Sequence, residues 1–323
     1  MKRLLAAALG LAGAILIVAV PGQAQDYPAK AVRILAASPG ATNDILSRYL
    51  AQQLSERWGR QVFVENRPGA GGTIAAEHAS RAAPDGYSLH IAYTATFAVS
   101  PTLYKKLGYD PVRDFAPITL YADTPLMLLA HPSMPPRNLR EFIQFAKKHP
   151  GAINYSSASA GTLSHLVTEL LKSAAGIQLV HVPYKGSGAA TTALVSGEAQ
   201  FSSLVLPNAL PMLRAGRVKA YAITGKKRFS GAPDVPTAAE AGLPDFEATS
   251  WFGMCVPART PPSIIGRLNR DIVEILRAPA TRDWLYKQGA EPIPSTPEAF
   301  GDLIRSDIVK WKRVVEASSA RAD

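Results

Sequence analysis

The sequence predicts an α/β protein made of two lobes joined by a hinge. Short apolar strands alternate with helical segments from residue 32 to residue 93, which is the pattern of a parallel sheet with right-handed crossovers. The same alternation restarts after residue 139. Apolar stretches at residues 118–131 and 251–256 lie between and after the two repeats, and two such crossings between lobes form a hinge beside a cleft.

The first unit is a strand at residues 32–37, followed by the break Ser38-Pro39-Gly40. One of the polar residues 42–44 is expected to cap the next helix, which keeps helical spacing to Trp58 and is expected to end at Gly59. A helix start after a strand leaves backbone N–H groups unpaired at the positive end of the helix dipole. This unit therefore predicts an anion-binding loop.

A second unit consists of a strand, a turn-rich segment and a helix within residues 61–82, and a strand at 87–93. The polar run Tyr93-Thr94-Ala95-Thr96 begins where this last strand ends. Ligands of open parallel sheets bind beyond the carboxyl ends of the strands. We therefore expect the loops at residues 38–44 and 93–96 to share one crevice.

The second lobe is predicted to repeat the form of the first. The stretch at 118–131, interrupted by Asp123-Thr124-Pro125, is predicted to be two strands that pass between the lobes. A strand at 153–156 is then followed by a loop at 157–162 with three hydroxyl side chains and one glycine, and by an amphipathic helix. Hydroxyl and backbone N–H groups at such a helix start can together bind a carboxylate, and an ordinary helix cap is the alternative.

The remaining elements complete the second lobe and the C-terminal region. They are a helix at 139–148, a strand at 179–183, a loop at 184–188, an alanine-rich helix ending near Gly197, strands at 199–206 and 218–224, and helices at 262–277, 280–288 and 297–316. The three C-terminal helices are expected to pack on the first lobe. His165 is expected to contact a ligand, to support the residues that do, or to be a packing residue. Tyr184 and Lys185 lie near the same edge of the cleft, although Lys185 can equally point into water.

The N-terminus predicts export from the cytoplasm. Met1-Lys2-Arg3 precedes the seventeen apolar residues 4–20, and Gly22 and Ala24 are small residues at the −3 and −1 positions of a cleavage after Ala24. An uncleaved membrane anchor is the alternative, but this stretch is short for a spanning helix. We therefore expect a periplasmic protein that begins at Gln25.

Composition restricts the possible partners. The 323 residues carry a formal net charge of +10, which falls to +8 when residues 1–24 are removed. A basic surface attracts anions, but the basic residues are scattered without interleaved aromatic residues, so no nucleic-acid partner is expected. The single cysteine, Cys255, cannot form an intramolecular disulfide and is interpreted as a small buried apolar residue.

The motifs for nucleotide, metal and nucleophile chemistry are absent from the sequence. Residues 68–73 are rich in glycine but match neither a P-loop nor Gly-x-Gly-x-x-Gly, whose third glycine would fall at Ile74, so a tight strand-to-helix connection is expected. No serine lies in a Gly-x-Ser-x-Gly elbow, and the six histidines lack metal-type spacing. We expect no catalytic centre, no metal and no cofactor.

Motifs along nearly the whole mature chain resemble one family. They are Tyr27-Pro-Ala-Lys, Ser38-Pro-Gly, Val64-Glu-Asn-Arg-Pro-Gly-Ala-Gly-Gly, Ala83-Pro-Asp-Gly-Tyr, Tyr109-Asp-Pro-Val-Arg-Asp-Phe, His181-Val-Pro-Tyr-Lys-Gly, Asp234-Val-Pro-Thr, Glu240-Ala-Gly-Leu-Pro, Trp251-Phe-Gly and Gln288-Gly-Ala-Glu-Pro. In order and spacing they resemble the Bug receptors, the TctC-like substrate-binding proteins of tripartite tricarboxylate transporters.

The resemblance implies a type II periplasmic-binding-protein-like fold that closes like a Venus flytrap on a small organic carboxylate. It also implies a monomeric solute-binding protein that delivers its ligand to the permease subunits of such a transporter and is not an enzyme. We place domain 1 at residues 25–123 and 250–323 and domain 2 at 124–249. An exported enzyme acting on a small organic acid and a ligand-presenting sensor subunit are the alternative functions.

Matching positions supply the predicted ligand-binding residues. They are Ser38, Pro39, Gly40, Ala41, Thr42, Asp44, Tyr93, Thr94, Thr96, Ser157, Ala158, Ser159, Ala160, Gly161, Thr162, His165, Tyr184, Lys185 and Leu204. Two positions depart from the family. Ala41 stands where the family usually has a second glycine, which restricts φ. Gln200 and Leu204 stand where acidic residues are usual, so Leu204 is expected to make the facing wall apolar and to favour an aromatic or short aliphatic acid over an amino acid.

Overall fold

The computed structural model describes residues 27–318, and the predicted signal peptide at 1–24 lies outside them. The strands are β1 (Val32–Ala36), β2 (Val62–Asn66), β3 (Ser88–Tyr93), β4 (Phe115–Ala130), β5 (Asn154–Ser157), β6 (Val180–Pro183), β7 (Phe201–Val205), β8 (Lys219–Ile223), β9 (Thr249–Pro257) and β10 (Glu291–Pro292). The helices are α1 (Thr42–Trp58), α2 (Thr73–Ser80), α3 (Ser100–Leu103), α4 (Leu139–Lys148), α5 (Leu163–Ala175), α6 (Ser187–Ser196), α7 (Leu206–Arg214), α8 (Pro262–Arg277), α9 (Pro279–Lys287) and α10 (Pro297–Ser318). Across this part of the chain, no helix is long and apolar enough to cross a membrane.

Each lobe is built around three parallel strands. In lobe 1, β1 lies between β2 and β3, and β9 and the first part of β4 extend the sheet in the antiparallel direction. In lobe 2, β5 lies between β6 and β7, and the last part of β4 pairs antiparallel with β7 and β8. The strand path is β2-β1-β3-β9-β4-β7-β5-β6. The two-lobed α/β prediction is confirmed, with sheets that are mixed rather than mainly parallel.

A single strand, β4, belongs to both sheets. Its residues 115–125 pair with β9 in lobe 1, and residues 126–130 pair with β7 and β8 in lobe 2. The prediction of two strands over this stretch was wrong. Pro125 does not end the strand because it lies at the last position paired with β9, and a ladder end tolerates a residue without an N–H group.

The hinge contains a buried hydroxyl that touches both crossing segments. Thr224, which is fully buried, accepts the N–H of Leu126 on its Oγ1 at 2.9 Å, and its hydroxyl lies within hydrogen-bond distance of the Ala248 carbonyl. The backbone of Thr224 adds a bond to the Leu126 carbonyl and accepts the Ala248 N–H. The outgoing strand and the returning segment are therefore fixed to the same residue.

The sequence predicted that all three C-terminal helices pack on lobe 1, and this prediction was wrong for one of them. Helix α8 packs on α1 and β4, but α10 contacts both α3 in lobe 1 and α5 in lobe 2. Trp311 and Val315 of α10 share an apolar cluster with Leu166 of α5. Lys310 also donates to the Glu247 carbonyl at 2.7 Å, next to the returning crossing. Helix α10 therefore bridges the lobes.

Most other predicted elements lie within two residues of their observed bounds, but helices α3 and α7 and strand β10 were missed. Helix α7 contains Pro207 and Pro211, and local sequence rules treat proline as a helix breaker, so no helix was predicted there. Pro207 lies in the first turn, where a helix does not need the N–H that proline lacks. Strand β10 has two residues, too few for any periodic pattern.

Candidate functional site

Two turns with the same backbone form lie at the carboxyl ends of the central strands. We call residues 38–44, which connect β1 to α1, the lobe-1 turn. We call residues 159–165, which follow β5 and enter α5, the lobe-2 turn. Gly40 has φ of 73° and Gly161 has φ of 76°, a left-handed conformation that glycine adopts without steric cost. The sequence predicted a repeated strand-loop-helix form, and the structure confirms it.

The repetition extends to individual hydrogen bonds. The Gly40 N–H donates to the Asp44 carboxylate at 2.9 Å, and the Gly161 N–H donates to Nδ1 of His165 at 3.0 Å. Each glycine thus donates to a side chain four residues later. The residue after each glycine is the helix N-cap and has an extended backbone, with φ of −76° at Ala41 and −73° at Thr162. Since Ala41 has an ordinary φ, its methyl group is accommodated without strain.

Backbone N–H groups, rather than side chains, are left available at the two turns. Neither α1 nor α5 has a side-chain cap, so the prediction that a residue of 42–44 caps α1 was wrong. Within the described chain, no hydrogen bond uses the N–H groups of Thr42 and Asn43, or those of Ser159 and Ala160. Unpaired N–H groups at the positive end of a helix dipole favour an anion.

The lobe-1 turn is held by a buried carboxylate. Asp44 accepts from Gly40, from Arg48 at 3.0 Å and from Asn66 at 2.9 Å, and only 3% of it is exposed. Burial alone would raise the pKa of Asp44, but the hydrogen bonds from Arg48, Gly40 and Asn66 lower it below its usual value. The Asp44 carboxylate is therefore ionised and fully engaged within the protein.

The lobe-2 turn is held by hydroxyls and two stacked imidazoles. The Ser157 Oγ lies 2.6 Å from Nε2 of His181 and donates to the Ser159 carbonyl at 3.0 Å, and the Thr162 hydroxyl donates to the same carbonyl at 2.7 Å. The rings of His165 and His181 stack at 3.9 Å with an angle of 6° between their planes. Both hydroxyls thus shape the turn, and contact of Ser157 and Thr162 with a ligand stays a prediction.

The glycine-rich segment at residues 69–73 lies against the predicted site. The Tyr93 hydroxyl donates to the Gly71 carbonyl at 2.7 Å, and the Tyr104 hydroxyl donates to the Ala70 carbonyl at 3.0 Å. Gly72 has φ of 98°, and a Cβ there would lie 1.8 Å from the Tyr93 hydroxyl. The predicted tight strand-to-helix connection is confirmed, and it forms one wall beside Tyr93.

The lobes meet at the lobe-2 turn. A Cβ on Gly161 would lie 2.8 Å from Cδ2 of Leu103, which belongs to α3 of lobe 1. Helix α3 continues a π-helical turn, Ala95–Val99, that begins where β3 ends. The structure therefore brings the segment after β3 in lobe 1 next to the turn after β5 in lobe 2.

Several predicted residues have structural partners. Thr94 accepts the Trp251 N–H at 3.0 Å, and Thr96 donates to the Tyr93 carbonyl at 3.1 Å; both are fully buried. The Tyr184 hydroxyl donates to Glu198 at 2.7 Å. The pKa of Tyr184 is raised to about 12, mainly by burial and secondly by the Glu198 carboxylate. Lys185 is exposed. A contact of these residues with a ligand stays a prediction.

The assignment of Leu204 to the wall that faces the ligand was wrong. Leu204 is 2% exposed and packs with Met127, Leu194 and Leu210 in the core between the lobe-2 sheet and helices α6 and α7. Alternation along β7 turns Leu204 toward these helices and Ser203 toward Thr168 of α5, whose hydroxyl lies 2.9 Å away. Gln200 bonds to the Asn154 N–H and the Gly197 carbonyl. The basis for expecting a less polar ligand is therefore lost.

Sequence reasoning missed the residues that support the turns. These are Arg48, Asn66, Leu103, Ser164, Glu169 and His181. A signal for part of this set was present, since Ser38-Pro39-Gly40 and Ser159-Ala160-Gly161 are each followed by a polar side chain four residues after the glycine. Aligning the two segments would have identified Asp44 with His165 and Arg48 with Glu169.

Neither a cluster of metal ligands nor a reactive thiol is found among the described residues. They contain no cluster of three histidine, cysteine, aspartate or glutamate side chains placed to hold a metal ion. Cys255 is fully buried, and burial raises the pKa of its thiol, so it is not a nucleophile. The arrangement is suited to holding an anion with oriented N–H donors.

Known proteins are similar to this chain in sequence and in fold. The family model described as "Tripartite tricarboxylate transporter family receptor" matches residues 46–319. Protein BugT of Bordetella pertussis is 35% identical, and the match covers 99% of each chain. Rpa4515 of R. palustris, solved with adipate, is 32% identical with a TM-score of 0.80, over 92% of this chain and 99% of that one. MatC (Rpa3494) of Rhodopseudomonas palustris, solved with bound malate, is 34% identical with a TM-score of 0.75, over 90% and 100%.

Proposed function

The chain belongs to the receptor family of the tripartite tricarboxylate transporters, and from this premise we propose that its paired lobe turns hold a small organic carboxylate between the lobes. It is a solute-binding receptor of the periplasmic type and not an enzyme. The proposal concerns which residues carry out the binding and which ligand they select.

The repeated glycine turn is the observation that supports this proposal. Each lobe has a helix start without a side-chain cap, free backbone N–H groups and a glycine whose own N–H is turned onto a side chain behind it. Hydrogen bonds from N–H groups to a carboxylate are charge-assisted and contribute roughly 1.5–3 kcal/mol each when well aligned. A ligand that reaches both turns gains this contribution in both lobes and so favours the closed form.

The symmetry of the turns favours a ligand with two anionic ends. Each turn supplies the same kind of donor, and charged side chains of the helix that follows each turn pair with each other, Asp44 with Arg48 in α1 and Glu169 with Lys172 in α5. The relatives solved with adipate and with malate each hold a dicarboxylate. We therefore propose that the ligand is a short dicarboxylate.

Calorimetry of the mature protein from Gln25 tests this function. The panel contains adipate and malate, their monocarboxylate counterparts hexanoate and lactate, and aspartate and benzoate. We expect at least one dicarboxylate to bind tighter than its monocarboxylate counterpart by about tenfold, the factor that one charge-assisted hydrogen bond provides. Equal binding of the paired acids would contradict the two-ended ligand, and no binding of any acid would contradict the function.

Incubation of the protein with the bound acid tests the enzyme alternative directly. Mass spectrometry should recover the acid unchanged after prolonged incubation. Recovery of a product would mean that the cleft carries out chemistry and would contradict the receptor function.

Export and delivery are further parts of the proposal. The N-terminal sequence supports cleavage after Ala24, which N-terminal sequencing of the secreted protein checks by finding Gln25 first. Family membership supports delivery to transporter permease subunits, and a monomer in solution is expected. Co-purification with the membrane components, and sedimentation of the mature protein, test these two points.

A further inference from the structure

The two turns use different acceptors for the glycine N–H, and this difference assigns a role to His165. We propose that His165 is the positioning residue of the lobe-2 turn, and that its neutral imidazole is required for this turn to hold an ionised carboxylate. The inference rests on the proposed function, because it concerns one half of the same binding site. The sequence left three roles open for His165, namely contact with a ligand, support of the contacting residues, or packing, and the hydrogen bond from Gly161 favours the second.

The geometry fixes the protonation state of His165. A backbone N–H can only donate, so Nδ1 of His165, 3.0 Å from the Gly161 nitrogen, must be the acceptor and carry no proton. The proton of the neutral ring is therefore on Nε2. A protonated imidazole would place a second N–H against that of Gly161 and break the bond that holds the turn.

His165 reaches the far side of the turn through His181. The two rings are stacked, and Nε2 of His181 lies 2.6 Å from the Ser157 Oγ, which donates to the Ser159 carbonyl. Because the Ser157 hydroxyl donates its only hydrogen to that carbonyl, Nε2 of His181 must donate its own hydrogen to the Ser157 Oγ. The stacked pair thus positions both Gly161 and Ser159, between which lies the free N–H of Ala160.

The groups around His165 keep it neutral. Burial, and then the neighbouring His181, lower the pKa of His165 to about 4, and Glu169 on the same helix opposes this shift. Glu169 is itself engaged by Lys172 at 2.7 Å and by the Tyr155 hydroxyl. Asp245, and Lys310 and Arg313 of α10, line the same cavity as Glu169. His165 therefore remains an acceptor through the neutral range of pH.

The lobe-1 turn shows why the acceptor must be neutral in lobe 2. There the acceptor is the carboxylate of Asp44, and Arg48, four residues later, offsets its charge at 3.0 Å. In lobe 2 the residue at the corresponding position is Glu169, whose Oε1 lies 3.9 Å from Nε2 of His165. An anionic residue at 165 would add a second buried negative charge directly behind the turn and oppose the binding of an anion.

Three substitutions at one position separate the requirements. His165→Asn keeps a neutral acceptor, His165→Asp makes the acceptor anionic, and His165→Phe keeps an aromatic ring without an acceptor. With adipate and malate as probes in calorimetry at pH 7, we expect His165→Asn to bind within about threefold of the parent protein, and the Asp and Phe variants to lose about tenfold or more. His149→Asn, an exposed histidine at the end of α4, is the matched control and should bind as the parent does.

Nitrogen-15 NMR of the ligand-free protein gives a readout that does not depend on binding or on the folding of a variant. We expect Nδ1 of His165 to be unprotonated and Nε2 to be protonated at pH 7. A protonated Nδ1, or a Phe or Asp variant that binds as tightly as His165→Asn, would overturn the role of His165. A parent protein that binds neither probe would contradict the proposed function, while the NMR result would still decide the geometry.

Discussion

Gly40 and Gly161 share a backbone conformation but differ in their surroundings. A Cβ at Gly40 would meet no atom within 4 Å, whereas one at Gly161 would press on Leu103 of the other lobe. Gly40→Ala should therefore cost only the left-handed penalty of about 1–2 kcal/mol in the free energy of unfolding. Gly161→Ala should in addition hold the lobes apart and weaken ligand binding by a larger factor, which denaturant unfolding and calorimetry measure together.

Gly216→Ala provides the control for the backbone penalty. Gly216 also has positive φ, with open space around it, and it follows α7, outside both turns. The Gly216→Ala variant should lose as much unfolding free energy as Gly40→Ala and should bind the ligand as tightly as the parent protein. Equal affinities for the Gly40→Ala and Gly161→Ala variants would mean that contact between Gly161 and Leu103 plays no part in binding.

His165 also makes stability depend on pH. The unfolded chain binds a proton on this residue below about 6.5 and the folded protein only below about 4, so the free energy of unfolding falls as the pH is lowered through that range. Asp123, whose pKa is raised to about 6 mainly by burial, acts in the opposite direction. We therefore compare variants: the loss of stability between pH 7 and pH 5 should be about 2 kcal/mol smaller in His165→Asn than in the parent.

Urea unfolding of both proteins at the two pH values gives this difference. His149→Asn, which replaces an exposed histidine outside both turns, is measured alongside as the control variant. An unchanged pH dependence in His165→Asn would indicate that the folded protein protonates His165 at an ordinary pKa.

At the scale of residues, sequence located the turns but not the roles of their side chains. Glycine and hydroxyl residues at a helix start predict an anion-binding backbone wherever they occur, so residues 38–44 and 157–162 were found. Whether a polar side chain faces the ligand or the protein depends on neighbours distant in sequence, such as His181 for Ser157 and Asn66 for Asp44. The placement of Leu204 failed because the direction of a strand side chain depends on which helices cover each face.

At the scale of elements, the hinge depends on one hydroxyl. Thr224→Val removes the group that accepts the Leu126 N–H and leaves that buried donor unpaired, which should cost about 1–3 kcal/mol of unfolding free energy. The same change removes the side-chain hydrogen bond to the Ala248 carbonyl and leaves only the backbone bond from the Ala248 N–H, so the equilibrium between open and closed forms should shift as well. Denaturant unfolding and small-angle scattering without ligand measure the two effects.

Thr224→Ser retains the hydroxyl and is the matched control. It should recover most of the stability that Thr224→Val loses. If both variants lose the same amount, the contribution of Thr224 lies in its methyl group and not in the hydrogen bonds of the hinge.

Element types were predictable where periodicity was strong and failed where tertiary pairing decides. Helix α8 was predicted at its observed bounds because its apolar residues keep helical spacing throughout. Strand β4 was divided into two because Pro125 is a strand breaker by local rules, and only the exchange of partners from β9 to β7 makes proline acceptable there. The two residues of β10 form a strand only because β4 lies beside them.

At the scale of the whole molecule, ligand binding should be linked to both stability and shape. A ligand held by both lobes raises the free energy of unfolding by about 2.7 kcal/mol at a concentration a hundred times its Kd. Because α10 contacts both lobes and the lobe-2 turn meets Leu103, we expect closure to reduce the radius of gyration without a change in oligomeric state. Thermal unfolding, scattering and sedimentation with and without ligand check these outcomes.

The matched control is a monocarboxylate that engages only one turn. It should stabilise the protein at saturation without the full reduction in size. A dicarboxylate that binds and leaves the scattering profile unchanged would show that binding occurs in a form already closed, or in one lobe alone.

The position of β9 in the sheet governs the order in which the lobes can fold. All strands of lobe 2 are complete by residue 223, whereas lobe 1 receives β9, between β3 and β4, only when residues 249–257 have been made. A growing chain can therefore assemble the inserted lobe while the lobe that contains both ends of the described chain still lacks a central strand. The contacts of β9 with β3 and β4 join residues far apart in sequence, and such contacts form slowly during folding. A nascent chain thus stays without a finished first sheet until most of its length has been synthesised.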